Sequence, residues 1–244
     1  MITYEQIKNH PAIRVYIEEA DRTLGALGFT EHSFAHVTKV ATTAGDLLEK
    51  LGYDEHTVEL TRIAGYMHDI GNLVNRTDHS QSGAIMAFRI LDKEGMDPLD
   101  LSRVVCAIGN HDEGTGVPVN PIAAALIIAD KSDVRRSRVR NQDHASFDIH
   151  ERVNYSVHST ELELNTEAKT LTLRLEIDTA YGSVMDFFEI FHTRMSLCKN
   201  AAQTLGLTFG LMINGQAGML APGVFSTKIS LYLHYCGFCA DMII

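Results

Sequence analysis

The chain has 244 residues, 45% hydrophobic, 21% charged and 7% aromatic, a make-up that excludes a disordered or fibrous protein. Its 31 Asp and Glu against 21 Lys and Arg give a formal charge of -10, which excludes general nucleic-acid binding because a polyanion would be repelled. Four cysteines are too few for a disulfide scaffold and fit a reducing, cytoplasmic setting.

At the N-terminus, Glu5, Lys8, Arg14, Glu18 and Glu19 interrupt the apolar stretch that a signal peptide would need, so export is not expected. No window offers roughly 20 consecutive apolar residues, so no membrane span is expected either. Residues 11–141 carry helical periodicity almost throughout and predict a bundle of about six helices. The clearest stripe is Val37, Val40, Ala41, Ala44, Leu47, Leu48 and Leu51, closed by Gly52. A second helix starts at the capping residue Asp54 and is expected to run to about Ile70, with Gly71 as its stop. Asp97-Pro98 and Asn120-Pro121 each pair a capping residue with a proline whose missing N–H costs nothing at the first helical position.

The pattern changes after residue 141. Residues 141–152 are polar and without period, after which Val153, Tyr155 and Val157 alternate, as do Leu171, Leu173, Leu175 and Ile177. These predict two strands joined around Asn165-Thr166-Glu167. An amphipathic helix follows with Val184, Phe188, Phe191, Met195, Cys198, Ala202 and Leu205 on its apolar face, and Leu207, Phe209, Leu211 and Ile213 alternate again. The apolar end, residues 218–244, is interrupted by Pro222, Lys228, His234 and Asp241. Its Ile229, Leu231, Leu233, Tyr235 alternation suits a strand or a partner-contact tail. The expected fold is mainly α: a helical bundle over residues 1–141 and a small β-β-α-β lobe with its tail over residues 142–244. The lobe helix carries more apolar face than three strands cover, which points to a homodimer or to a cover over the active site.

The sequence holds 12 histidines. His68-Asp69 closes an apolar helix, and His111-Asp112 is a second such pair. Either pair alone is weak, but ligand-type residues recur in order: His36, His68, Asp69, His79, His111, and Asp130 after the apolar run of residues 124–129. His36 lies one turn from Val40, and His68 one turn from Ala64, so side chains from several helices can converge in the bundle core. Imidazole with carboxylate suits Mn, Fe, Co, Ni or Zn, whereas an oxygen-only set would suit Mg or Ca. His36, His68, Asp69 and Asp130 would hold one metal. Adding His79 and His111 makes six ligands, enough for two metals bridged by Asp69.

Over residues 32–140 the chain resembles the HD-domain superfamily of metal-dependent phosphohydrolases. His36-Val37-Thr38-Lys39-Val40-Ala41 resembles the first histidine motif, Tyr66-Met67-His68-Asp69-Ile70-Gly71 the eponymous His-Asp, and Ala129-Asp130-Lys131-Ser132-Asp133 the closing aspartate motif. His79-Ser80-Gln81-Ser82-Gly83 and His111-Asp112-Glu113-Gly114-Thr115-Gly116 are similar to motifs of the dinuclear branches, including the HD-GYP cyclic-dinucleotide phosphodiesterases. Two departures stand out. The HD-GYP pattern has adjacent histidines and then Gly-Tyr-Pro, where this chain has His111-Asp112 and later Gly116-Val117-Pro118; and the lysine that follows His-Asp-Ile-Gly in the family is Asn72 here. The resemblance therefore implies a dinuclear HD fold more firmly than it implies cyclic dinucleotides as substrate, and it does not cover the lobe.

What the resemblance implies is hydrolysis of a phosphomonoester or phosphodiester in a small, nucleotide-like or other phosphorylated substrate. A metal-activated hydroxide would attack, with Asp69 and His68 at the catalytic centre. Lys131, Arg135 and Arg138 fall on one face if the helix continues past Asp130, a cationic stripe suited to phosphate, with Asp133 behind the ligands. The same six ligands are similar to those of HD-fold diiron oxygenases of the inositol oxygenase type, and Asn72 leaves room for a regulatory HD module with weak activity. His32 is expected to be structural, and Asp143, His144, Asp148 and His150 to form a polar surface loop. Cys236 and Cys239 have redox spacing but lack the strand-to-helix context that redox chemistry would need.

Overall fold

A computed structural model describes residues 2–217 of the chain. Local capping chemistry explains most helix starts. Thr3 and Gln6 form a reciprocal box at α1 (Tyr4–Lys8), and His10 with Pro11 opens α2 (Pro11–Ala26). The Ser33 hydroxyl accepts from Ala35 N–H at the head of α3 (Phe34–Lys50), and the Asp54 carboxylate from Thr57 N–H at the head of α4 (Glu55–Met67). A 3-10 turn, Ile70–Leu73, leads to α5 (His79–Lys93). Asp97-Pro98 and Asn120-Pro121 then open α6 (Pro98–Gly109) and α7 (Pro121–Lys131) as expected.

Helix α7 is the axis of the bundle. Every residue from Ile122 to Lys131 is buried, and α3, α4 and α6 pack against it. Ala123, Ala124, Ala125 and Ala129 let those neighbours approach on several sides at once.

Two local expectations change here. Helix α4 ends at Met67 rather than near Ile70, because Asp69 leaves helical geometry at φ -97° and ψ 0°. Gly71 is also no helix stop. A Cβ there would lie 2.0 Å from the His79 carbonyl oxygen and 2.4 Å from the Gly83 nitrogen, so Gly71 is the point where the 3-10 turn presses against α5. Further on, the helical stripe of Lys131, Arg135 and Arg138 does not form. Helix α7 stops at Lys131, the chain turns inward to bury Asp133 and Val134, Arg135 is extended at φ -160°, and Arg136–Arg138 is a separate 3-10 turn.

After a 3-10 turn at His144–Ser146, the lobe begins with a helix, α8 (Ile149–Ser156), closed at its start by a reciprocal box between Asp148 and Glu151. Val153 and Tyr155 are therefore helical, not the first residues of a strand; an alternation of three residues is too short to separate the two periods. Strand β1 (Val157–Asn165) pairs antiparallel with β2 (Thr170–Ile177), with Leu162 opposite Leu173. Helix α9 (Val184–Thr204) then crosses to β3 (Thr208–Ile213), which runs parallel to β2 with Leu171 opposite Phe209, and the two-residue β4 (Gln216–Ala217) pairs with β3. The sheet order is β1-β2-β3-β4.

Helix α9 packs on β3 and also on α7. Its apolar surplus is therefore covered inside the same chain, which removes the reason for expecting a second copy on that face. The buried face is turned slightly from the expected one: Phe187 is fully buried where Phe188 is only half-buried. Bundle and lobe share one continuous buried core. No helix among the described residues is long and apolar enough to cross a membrane. The alternation at Ile229–Tyr235 and the pair Cys236 and Cys239 lie outside the described residues.

Candidate metal centre

Six side chains from different helix ends meet beside α7. His36 lies in the first turn of α3, His68 closes α4, Asp69 follows it, His79 opens α5, His111 comes just after α6, and Asp130 sits near the end of α7. His36, His68 and His111 are fully buried, and His79, Asp69 and Asp130 are 2%, 5% and 9% exposed. Gathering so many ionisable groups away from water costs several kcal/mol unless they are paired or bind an ion.

The gathering has two halves that share Asp69. Asp69 Oδ2 lies 3.5 Å from His36 Nε2 and 3.2 Å from His68 Nε2, and Asp130 Oδ1 lies 3.4 Å and 3.7 Å from the same two nitrogens. Asp69 Oδ1 faces the other way, 3.5 Å from His79 Nε2 and 4.0 Å from His111 Nε2. Groups of donor atoms close enough to hold a metal ion are His36, His68 and Asp130, and His68, Asp69 and His111.

The outer ring nitrogens decide what the inner ones present. Nδ1 meets the Asp133 carboxylate at 2.8 Å in His36, and the carbonyls of Gly65, Arg76 and Ile108 at 2.8, 3.0 and 2.7 Å in His68, His79 and His111. All four partners only accept, so each Nδ1 carries a proton, and a ring that holds no second proton turns an Nε2 lone pair inward. Those lone pairs face each other: His36 Nε2 and His68 Nε2 are 3.3 Å apart, His79 Nε2 and His111 Nε2 3.2 Å.

Burial opposes charge on His68, yet Asp69 and Asp130 raise it to about 10, so the first pair can share a proton. The second pair cannot. Burial, with His68, Lys131 and His79 behind it, lowers His111 to about 3, and burial also lowers His79. Two unprotonated lone pairs turned on one another suit a metal cation. Asp69 and Asp130 are buried but held well below the usual carboxylate range by cationic neighbours, above all His68 for the first and Lys131 for the second, so both present anionic oxygens. Imidazole nitrogens with carboxylate oxygens fit a borderline divalent metal.

The surrounding residues fix these ligands. Asp133, 1% exposed, binds His36 Nδ1 through Oδ2 and holds Lys39 Nζ and Arg135 Nε through Oδ1, each at 2.9 Å. Asp133→Asn should weaken metal binding about 10- to 100-fold, the usual cost of losing a carboxylate behind a ligating histidine. Titration of metal-stripped protein with Mn(II) would measure this, and an unchanged affinity would show that Asp133 only packs. Asn72 donates to both the carbonyl and Oδ1 of Asp69 at 2.9 Å and accepts from Arg76 Nη1 at 3.2 Å. It thereby orients the shared carboxylate and brings a guanidinium to the position's edge.

A cavity of about 310 Å³ opens onto the cluster, reaching Asp69, His79 and Asp130. Of the three cations expected at phosphate, Lys131 and Arg138 line it and Arg135 does not: its guanidinium is held by Asp133, Ser137 and Glu31. Lys131 Nζ sits 2.7 Å from Asp130 Oδ2, and Arg138 donates to the carbonyls of Glu31 and Asp133. His32 lines the cavity too, its Nδ1 tied to the Thr30 carbonyl at 2.7 Å, and so do Asp148 and His150 at the start of α8, which are therefore not merely a surface loop. Arg76 and Arg194 are cavity cations that sequence reasoning did not single out. Arg194 left no signal in the chain, since it lies on the polar side of an amphipathic helix far from every motif.

Residues 33–138 match the family model of the HD domain. An uncharacterized protein of Methanocaldococcus jannaschii is 26% identical over 160 residues, covering 56% of this chain and 61% of that protein. The match thus spans less than two thirds of the relative's length.

Proposed function

We propose, from the match of residues 33–138 to the HD domain and from the divided cluster, that the chain is a phosphohydrolase working with two divalent metal ions on a small phosphorylated substrate. The observation that carries this reading is the shared carboxylate: Asp69 turns one oxygen to His36 and His68 and the other to His79 and His111. His36, His68, Asp130 and Asp69 Oδ2 would hold one ion, and His79, His111 and Asp69 Oδ1 the second, drawn from Mn, Fe, Co, Ni or Zn. Two such ions would supply hydroxide at neutral pH and offset charge on phosphoryl oxygens.

The chain's own residues do the rest. Asp69 and His68 form the catalytic centre, with the shared carboxylate setting the spacing of the two halves and Asn72 preventing its rotation. Lys131 and Arg138 bring positive charge to the cavity wall. Arg76, Lys131, Arg138 and Arg194 match the four carboxylates of the cavity, Asp69, Asp130, Asp148 and Glu151. Two divalent ions would then make the cavity net positive inside a chain of charge -10. A volume of about 310 Å³ is at the small end of ligand sites, which favours a phosphomonoester or a compact phosphodiester over a polymer. All six ligands come from one chain, so the site needs no second copy. The two described cysteines, Cys106 and Cys198, are free thiols, in keeping with a cytoplasmic setting.

Elemental analysis of the purified protein should find two transition-metal ions per chain. Treatment with a chelator should cut phosphate release from a phosphoester panel at least about 100-fold, and Mn(II) or Fe(II) under anaerobic conditions should restore it. Iron with substrate-dependent dioxygen uptake and no phosphate release would replace the hydrolase by an oxygenase. A metal-replete protein inert towards both would leave a regulatory module.

A further inference from the structure

We infer that Arg194, contributed by the C-terminal lobe, grips the substrate's phosphoryl oxygens, so that the HD domain alone is an incomplete binding site. This inference rests on the reading of the centre as a phosphohydrolase and adds the residue that completes it.

Four cations line the cavity, and three are engaged through their terminal nitrogens. Lys131 Nζ is taken by Asp130 and lies 3.6 Å from Glu113. Arg138 spends Nε and Nη1 on backbone carbonyls, and Arg76 gives Nη1 to Asn72. Arg194 differs. Its Nε lies 2.5 Å from Glu113 Oε1, and neither Nη1 nor Nη2 donates to any described residue. Its guanidinium lies over the Phe191 ring, 4.8 Å from the centroid, one helical turn away on α9. A guanidinium aimed by a carboxylate at Nε and supported on one face by an aromatic ring has lost most of its freedom, while its outer edge still offers two nearly parallel donors. That edge matches two oxygens of a phosphoryl group.

Position adds to the case. Glu113 joins Arg194 to Lys131, and Lys131 joins Glu113 to the ligand Asp130, so a short chain of ion pairs runs from the metal centre to the lobe. Glu113 belongs to the segment that begins with the ligand His111. Because α9 is packed between α7 and β3, Arg194 is presented from a rigid element rather than a loop.

The test uses the metal-loaded full chain and inorganic phosphate as probe, with metals counted in every variant. Arg194→Gln should keep two metals and bind phosphate about 10- to 100-fold more weakly, with KM for a hydrolysed phosphoester rising more than kcat falls. Equal phosphate affinity in Arg194→Gln and the parent protein would overturn the inference, as would a parent protein that loads both metals and binds no phosphate. If Arg194→Gln loses metal or unfolds, Arg194→Lys decides. It keeps the charge but not the planar fork, so a weakening of about threefold or more supports the grip and an unchanged affinity overturns it. Arg194-dependent phosphate binding in a protein that hydrolyses no phosphoester would uphold the grip and overturn the hydrolase reading, which keeps the two failures distinct.

Discussion

Asp69→Ala should empty both halves of the metal centre and reduce kcat/KM by more than about 1,000-fold, roughly 4 kcal/mol of transition-state stabilisation. Asp69 turns one oxygen to each half, with Oδ2 within 3.5 Å of His36 and His68 and Oδ1 within 4.0 Å of His79 and His111. Losing it would remove the one carboxylate among the described residues that faces both histidine pairs. The change also frees Asn72, whose amide donates to Asp69 Oδ1, and with it the anchor of Arg76. The fold should survive, because truncating a buried carboxylate among imidazoles opens a small space without burying a new charge. Elemental analysis, phosphate release and a thermal melt on the same preparation separate these effects. Retention of both metals would place the centre elsewhere.

Gly71→Ala should be the most damaging single methyl in the HD domain. The added carbon would meet the His79 carbonyl oxygen at 2.0 Å, the Gly83 nitrogen at 2.4 Å and Ser82 Oγ at 2.6 Å. Two of these are backbone atoms of α5 and cannot rotate aside, so the 3-10 turn and the helix must separate. Overpacking against backbone costs at least about 3 kcal/mol, or roughly 6–12 °C in Tm for a chain of this size. The shift falls on the segment that carries His79, so metal should be lost first from the half made by His79 and His111. The half made by His36, His68 and Asp130 should empty later. Gly52→Ala is the comparison: its φ is +83° but nothing lies within 4 Å of an added Cβ, so it should cost only about 1 kcal/mol and leave metal content unchanged. Equal melting temperatures for the two variants would show that the contact at Gly71 relaxes easily.

The elements that sequence reasoning reached are those governed by neighbours a few residues apart. Asp54, Asp97 and Asn120 cap the helices that follow them, because a side-chain oxygen meets a backbone N–H two or three residues on whatever the rest of the chain does. The stripe from Val37 to Leu48 is buried because 3.6-residue periodicity puts those positions on one side. Where a local pattern admits two conformations, contacts outside that pattern decide between them. Val153, Tyr155 and Val157 alternate as a strand would, yet the Asp148–Glu151 box holds the first two in α8. The cation stripe assumed a helix continuing past Lys131, but burial of Asp133 and Val134 turns the chain away and commits Arg135 to Asp133 and Glu31.

By itself, the sequence determined a mainly helical chain with a resemblance to the HD domain, and it singled out six histidines and aspartates that meet in one place. Their order along the chain and their positions at helix ends are local facts that one strand of residues can carry. Only the tertiary structure decided that the two oxygens of Asp69 face different histidine pairs, that Asn72 ties Asp69 to Arg76, and that Arg194 from the lobe looks into the same cavity. Those relations depend on how α5, α7 and α9 pack against one another, and packing angles and separations between distant segments leave no periodic trace in the chain.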